Sequence, residues 1–221
     1  MFDARLDMLP ESQRRLWDEL AATPAGFVLY GGTAIALRLG HRQSRDFDFF
    51  RARGFAPPEL LEEVRYLRGA VVQQSRPNTL TCLVDRGGEV QVSFFGGLDM
   101  NRIEDPETPE HGGVVVASLI DLAATKVKVI QDRASARDYV DIDALLSAGI
   151  RLDRALAAAR AVYGSPFNPL LSLKALSFFG DGDLETLPAG LTARLRDAVR
   201  RIDPASLPAV RGKPGLLGGG E

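Results

Sequence analysis

Residues 27–50 read FVLYGGTAIALRLGHRQSRDFDFF, and the rest of the chain is organised around them. The apolar run Phe27-Val28-Leu29-Tyr30 lies between glycines and reads as a buried strand. Gly31 and Gly32 carry no Cβ, so the backbone is free to turn sharply there and come close to whatever lies against it. Thr33 is the expected N-cap of a short apolar helix over 34–39, which Gly40 ends. A basic loop, His41-Arg42-Gln43-Ser44-Arg45, leads into a second strand, Asp46-Phe47-Asp48-Phe49-Phe50.

Side chains alternate along a strand, so Asp46 and Asp48 share one face and Phe47 and Phe49 the other. The Phe face packs into a core. The two carboxylates stand roughly 7 Å apart along the strand, within reach of one or two hard cations. Without a cation or a basic partner between them they repel, and one pKa rises. Free N–H groups at the start of the preceding helix, with the positive end of its dipole, suit phosphate. A phosphate cradle beside metal-binding carboxylates is the equipment of phosphoryl or nucleotidyl transfer. Either half alone recurs by chance in many proteins. The order strand, Gly-Gly-Thr, helix, Asp-x-Asp strand is far more specific.

That order resembles the signature of the nucleotidyltransferase-fold superfamily. The wording of residues 31–50, GGTAIALRLGHRQSRDFDFF, is similar to the AbiEii/AbiGii toxin family within it. The resemblance implies an enzyme that transfers a nucleoside monophosphate from an NTP to an acceptor, with RNA such as a tRNA end as the candidate acceptor. Asp46 and Asp48 would be catalytic and hold Mg²⁺ (or Mn²⁺), and Gly31, Gly32 and Thr33 would hold the triphosphate. Arg42 and Ser44 of the loop are counted with these nucleotide-binding residues. The resemblance also implies the toxin half of a prokaryotic toxin–antitoxin or phage-exclusion pair, with a cognate antitoxin as partner.

A second constellation, residues 124–141 (ATKVKVIQDRASARDYVD), also resembles the family. A Lys in one helix is followed by Arg, then by Arg-Asp-x-x-Asp opening the next helix. Lys126 offers a compact ammonium for a triphosphate and Arg133 a planar fork for phosphate oxygens. Asp138 and Asp141 lie three apart on one helix face, so either is a base or the partner of a cation. The resemblance makes Lys126 and Asp141 catalytic residues and Lys126 and Arg133 nucleotide-binding ones. Read locally, Asp138 is only the third helical residue of a capping box and Arg137–Asp141 an ordinary i,i+4 pair.

One departure is plain. Many enzymes of this fold carry a third carboxylate on a neighbouring strand, and the matching position here is Ser93. Glu89 shares that face, but four residues along a strand is about 13 Å, too far to substitute. This departure leaves room for a one-metal enzyme, a different acid from the helical half, or a catalytically degenerate nucleotide- or partner-binding module; the enzyme alternative to nucleotidyl transfer is a phosphotransferase using the same site.

The whole chain sets bounds on these readings. At 221 residues, 45% hydrophobic and 25% charged, it has ordinary globular composition. No apolar run approaches the ~20 residues that span a bilayer, and the start MFDARLDMLPESQRR lacks an apolar secretory core. The expected setting is cytoplasmic and off the membrane. A single cysteine, Cys82, excludes an internal disulfide and sits in an apolar run as a small filler. Net charge is −2, so bulk composition does not announce a nucleic-acid binder. Arg38, His41, Arg42, Arg45, Arg51 and Arg53 nevertheless crowd the Asp pair in sequence, which favours a polyanionic substrate.

Helical spacing of Leu9, Leu16, Trp17 and Leu20 predicts an amphipathic helix over 10–21. Pro57-Pro58 opens another, to about residue 67. Strands follow over 70–74, 79–85 and 89–95, with Arg86-Gly87-Gly88 as a hairpin turn, and again over 112–117. Ser118-x-x-Asp121 and Ser135-x-x-Asp138 read as acidic capping boxes of helices reaching about 131 and 147. Further helices are expected over 151–163, from Asn168-Pro169 to 179, and over 191–202. The fold class is thus α/β (α+β): a nucleotidyltransferase-like mixed sheet flanked by helices over 1–117, a C-terminal helical bundle over 118–202, and a Pro/Gly-rich tail over 203–221 expected to be disordered.

Overall fold

The computed structural model describes residues 1–217, whose contacts divide into two compact units. The first comprises Met1–Met100, Asp105–Ser118 and residues 215–217 of the described chain. The second comprises Asn101–Glu104 and Leu119–Pro214.

The first unit is built on a five-stranded mixed sheet of β1 (Val28–Tyr30), β2 (Asp46–Phe50), β3 (Val71–Arg76), β4 (Thr79–Asp85) and β5 (Glu89–Phe95). The strand order is β1-β2-β5-β4-β3; β2 and β5 run parallel and the other neighbours antiparallel. Alternation does what the sequence expects of β2: Phe47 and Phe49 are fully buried, while Asp46, Asp48 and Phe50 are half-buried. Phe49 stacks on Phe94 with ring centroids 5.3 Å apart, and Phe47 meets Trp17 at 6.3 Å. Each such ring contributes roughly 1.5–3 kcal/mol on burial, which pins the register and with it the Asp face. Cys82 is buried in this core, and burial pushes its thiol up to about 11.

Helix α1 (Glu11–Trp17) continues as a 3₁₀ turn over Asp18–Ala22 rather than as one helix. Helix α2 (Gly31–Leu39) leaves β1 directly and stops at Gly40 in the left-handed region. Helix α3 (Pro57–Glu63) is shorter than expected, and a 3₁₀ turn over Arg65–Leu67 follows it. The β4–β5 turn is held by Asp85, whose Oδ1 accepts from Gly87 N (2.8 Å) and Gly88 N (3.0 Å). Residues 112–117 do not form the expected strand. Gly112 and Gly113 have φ of +82° and +106°, and pairing is confined to Val116 with Leu29 and with Glu107.

The second unit contains α4 (Leu119–Val129), α5 (Ala136–Ser147), α6 (Leu152–Tyr163), α7 (Pro169–Ala175) and α8 (Ala189–Arg200). Helix α4 packs against α5 and α6, α5 against α8, and α6 against α7. Asn168 caps α7 as expected, its side chain accepting from Leu170 N at 3.0 Å, but α7 ends at Ala175 rather than near 179. The capping box at Ser135 does not form. Ser135 makes no side-chain cap bond, and Asp183, distant in sequence, accepts from Ala136 N at 2.6 Å instead. The Asp121 carboxylate accepts from Ile103 N (2.7 Å) and Glu104 N (3.1 Å). Within the tail expected to be disordered, Lys213 and Arg102 exchange both backbone hydrogen bonds, and Arg102 Nη1 donates to Pro214 O at 2.6 Å. The rest of that expectation, 218–221, lies outside the described residues. Among the described residues no helix is long and apolar enough to cross a membrane.

Candidate active site

The junction between β1 and α2 depends on glycine. Gly31 has φ +77°, a conformation that side chains with a Cβ rarely adopt, and it lets the chain pass from strand to helix without a loop. A methyl group at Gly31 would run into the Asp48 carboxylate, with Asp48 Cβ and Cγ at 3.2 Å. One at Gly32 would lie 2.5 Å from Arg42 Nη2 and 3.0 Å from Ser44 Oγ. Gly31, Gly32, Arg42, Ser44 and Asp48 are therefore brought together, at the N-terminal end of a nine-residue helix. The first N–H groups there have no acceptor within their own helix, and the dipole adds positive potential.

Thr33 is not the N-cap. Tyr30 holds that position, and Thr33 lies inside the first turn, fully buried, with its hydroxyl donating to Asp46 O at 2.5 Å. This bond ties α2 to the strand that carries both carboxylates. The Thr33 side chain is thereby committed to β2.

The register of the sheet puts Ser93 beside Asp48. Asp48 is directly opposite Ser93 on β5, and Ser93 is opposite Thr81 on β4. Adjacent strands are about 5 Å apart, so Ser93 is the immediate lateral neighbour of Asp48. Its Oγ accepts from Thr81 Oγ1 at 3.3 Å, and both hydroxyls are buried. Asp46 is opposite Gln91. The carboxylates of Asp46 and Asp48 are hard oxygen donors of the kind that suits a hard dication. Among the described residues there is no group of three or more His, Cys, Asp and Glu side chains suited to caging a metal.

The basic cluster is smaller in space than in sequence. Arg38 is committed to the first unit's own backbone: it donates to Ala117 O (2.8 Å) and Val116 O (3.2 Å) and pairs with Glu107 (3.0 Å). Arg51 lies over the Phe27 ring at 5.2 Å. Arg42 stands against the glycines, with Nη1 donating to Gln43 O.

The second constellation forms a compact ionic cluster within the helical unit. Lys126 Nζ on α4 lies 2.7 Å from both Asp138 Oδ1 and Asp141 Oδ2 on α5. Arg133 completes it, Nε reaching Asp138 Oδ2 at 2.8 Å and Nη2 reaching Oδ1 at 3.2 Å. The side chains of Lys126, Asp138 and Asp141 are 8%, 1% and 0% exposed, whereas that of Arg133 is 64% exposed. Burial by itself raises the Asp138 pKa. The hydrogen bond from Arg133 and the charge of Lys126 outweigh it and hold the carboxyl below its ordinary range. Lys126 is thus enclosed between two carboxylates, and Arg133 is the cation of the group that meets solvent.

Two features escaped the sequence reading. The Thr81–Ser93 pair needs the register to be seen. Gln13 had a signal: it falls on the same helical stripe as Leu9, Leu16, Trp17 and Leu20, and it is buried with them.

Comparisons with known proteins agree with this architecture. The profile of a family described as nucleotidyl transferase AbiEii toxin, type IV TA system, matches residues 15–213. An uncharacterized protein of Aquifex aeolicus (strain VF5) is 32% identical over 118 residues, 52% of this chain and 55% of that protein. The chain thus spans about half the length of this relative. MenT4, a nucleotidyltransferase toxin of Mycobacterium tuberculosis, superposes with a TM-score of 0.58 at 20% identity, covering 90% of this chain and 84% of that one. A solved structure from H. pylori assigned to the nucleotidyltransferases gives 0.54 at 19% identity, over 86% and 91%. At these identities the two structures show the fold.

Proposed function

The chain belongs to the AbiEii nucleotidyl transferase toxin family, and from that premise we propose that it transfers a nucleoside monophosphate from an NTP to an RNA hydroxyl, such as that of a tRNA end. The observation that carries this reading is the glycine pair. Gly31 and Gly32 admit Asp48, Arg42 and Ser44 to the positive end of α2, where a side chain on either would collide with them.

In this reading the β- and γ-phosphates lie against the N–H groups of Gly31, Gly32 and Thr33, with Arg42 and Ser44 as further donors. Asp46 and Asp48 would hold Mg²⁺ or Mn²⁺, which when bound neutralises phosphate charge. The acceptor oxygen bonds to the α-phosphorus as the bond to the β-phosphate bridge breaks. Pyrophosphate leaves and the hydroxyl proton passes to water. Arg42 and the helix N-terminus stabilise the charge that develops on the leaving group. In the helical unit, Lys126 and Asp141 act with Asp138 as positioning residues, and Arg133 is the fork offered to phosphate. A cognate antitoxin and a cytoplasmic setting accompany the toxin reading.

Ser93 favours one rival, a nucleotide-binding protein without turnover, because it removes a charge from the place next to Asp48. The protein is incubated with each NTP, labelled with ³²P at the α-phosphate or, in parallel, at the γ-phosphate, with Mg²⁺ or Mn²⁺ and total RNA. Label on RNA with release of pyrophosphate supports transfer. Transfer of a γ-label alone makes the protein a phosphotransferase, and binding without transfer makes it the rival.

A further inference from the structure

The two faces of the sheet differ. On one, Phe47, Phe49, Leu80, Cys82, Val92 and Phe94 are fully buried. The other carries Asp46 and Asp48 and continues from them across the strands. Register sets Phe50 on β2, Phe95 on β5, Thr79 on β4 and Arg76 on β3 in one lateral row, all within the first unit. The row beside it runs Asp48, Ser93, Thr81, Gln74. Phe50, Phe95 and Thr79 are half-buried, and Gln74 and Arg76 are exposed. Three strand spacings make the row from Phe50 to Arg76 roughly 15 Å long.

The chemistry of this strip is that of a support for an unpaired nucleic-acid strand. Tyr30 is buried and stacks on Phe50 with centroids 4.7 Å apart, and Phe50 meets Phe95 edge-on at 5.6 Å. The half-exposed Phe95 ring is therefore held by a ladder of aromatic neighbours. Splayed bases stack on such rings, and hydroxyl and amide side chains such as those of Thr79 and Gln74 pair with their edges. Arg76, at the far end, offers a guanidinium to a phosphate. The carboxylates of β3, β4 and β5, Asp85 and Glu89, both lie at the β4–β5 turn, so the row from Phe50 to Arg76 crosses no acid. A single nucleoside does not span this row, whereas a strand does. One end of the row lies two residues from Asp48, so the strip is continuous with the proposed metal site.

We propose that this strip carries the unpaired end of the acceptor RNA. Its terminal hydroxyl is delivered to Asp46 and Asp48, a base beside it stacks on Phe95, and a phosphate further back meets Arg76. The assignment rests on the reading of RNA as the acceptor, and it adds which surface holds that RNA and that the RNA must be single-stranded there.

The test measures binding, without metal or NTP, so its outcome is separate from that of transfer. The full chain is titrated by fluorescence anisotropy into a short unstructured oligoribonucleotide labelled at its 5′ end, and into a duplex of the same sequence. The single strand should bind and the duplex should not. Phe95→Ala should weaken binding at least about tenfold, the loss expected of one base–aromatic stack. Phe95→Trp should bind as wild type does, and the emission of its new indole should be quenched by the RNA. Arg76→Ala, at an exposed position, should reduce the slope of log affinity against log salt by about 0.7, the value for one phosphate contact on a single strand. No binding, equal binding of the duplex, unchanged affinity in Phe95→Ala, or an unquenched indole in Phe95→Trp each overturns the proposal. Displacement of the RNA by a non-hydrolysable NTP also overturns it, because the strip then holds the NTP base. RNA binding with these signatures but no transfer removes the transferase reading and leaves the strip. Transfer to RNA with an unchanged KM for RNA in Phe95→Ala does the reverse.

Discussion

Two pairs of aspartates in this protein differ less in spacing than in burial. Asp46 and Asp48 lie two apart on a strand, half-buried, beside glycines and the start of a helix. Asp138 and Asp141 lie three apart on a helix, enclosed, with a lysine ammonium 2.7 Å from each. The second pair has its counter-charge built in, so it holds α4 to α5. The first pair is where the proposed reading puts the cation, with Asp48 against Gly31 at the start of α2. Carboxylate spacing alone therefore does not tell the two pairs apart; burial does.

The largest effects should come from the strand pair. Asp46→Asn and Asp48→Asn should each lower transfer at least about 10³-fold, roughly 4 kcal/mol in barrier. Their Tm should stay within about 2 °C of wild type, because both side chains lie opposite the packed Phe face. Transfer at the wild-type rate by both variants would make the strand pair as structural as the helical one.

Lys126→Met should do the converse. It leaves two buried carboxylates without their ammonium, a loss of about 3–4 kcal/mol, and a Tm fall on the order of 10 °C. The cluster also fixes a pH dependence. Asp138 has a depressed pKa in the folded state, so its contribution is present above the unfolded value of about 4 and is lost as pH falls through the folded one. Denaturant titrations from pH 6 down to pH 2 should show this loss in wild type and a shallower one in Asp138→Asn. Identical profiles would remove the electrostatic account of the cluster.

Two glycines sharpen the contrast further. Gly31→Ala meets both a positive φ and the Asp48 side chain, and should cost about 2 kcal/mol together with at least tenfold in transfer. Gly149 in the helical unit has φ +95° with nothing within 4 Å of an added methyl, so Gly149→Ala should cost only about 1 kcal/mol and leave transfer unchanged. Equal losses in both would reduce Gly31 to a backbone requirement.

What was legible in the sequence follows from how local each signal is. The alternation of Phe and Asp predicts β2 with its faces, Gly40 predicts the stop of α2, and Asn168-Pro169 predicts a cap, because each needs only neighbouring residues. The failures have long-range causes. Asp138 fits a capping box locally but finds two stronger cationic partners. Arg38 stands near the Asp pair in sequence, yet its fork is drawn to the carbonyls of Val116 and Ala117. Gly31 looks like a loop residue, whereas its left-handed freedom is what lets the helix begin at once. Ser93 stands where the resemblance leads one to expect an acid; its bond with Thr81 appears only once β4 and β5 are in register.

That bond frames the smallest and most discriminating expectation. With Ser93 beside Asp48, the site carries two formal negative charges where a third carboxylate would give three. Metal should therefore bind weakly to the free protein and more tightly with NTP, whose oxygens complete an octahedral shell. Ser93→Asp adds a hard oxygen about 5 Å from Asp48 across the strands, with the Thr81 hydroxyl available to donate to it. Affinity of the free protein for Mn²⁺ should rise about tenfold, worth roughly 1.4 kcal/mol, and the gain on adding a non-hydrolysable NTP should shrink. Calorimetric titration of both proteins, with and without that nucleotide, measures both quantities. The new carboxylate has no built-in cation, unlike Asp138 and Asp141, so the variant should also lose stability that saturating Mn²⁺ restores. If its metal affinity matches wild type, residue 93 does not share the face of Asp46 and Asp48 in solution, and the strand pair is not a metal site.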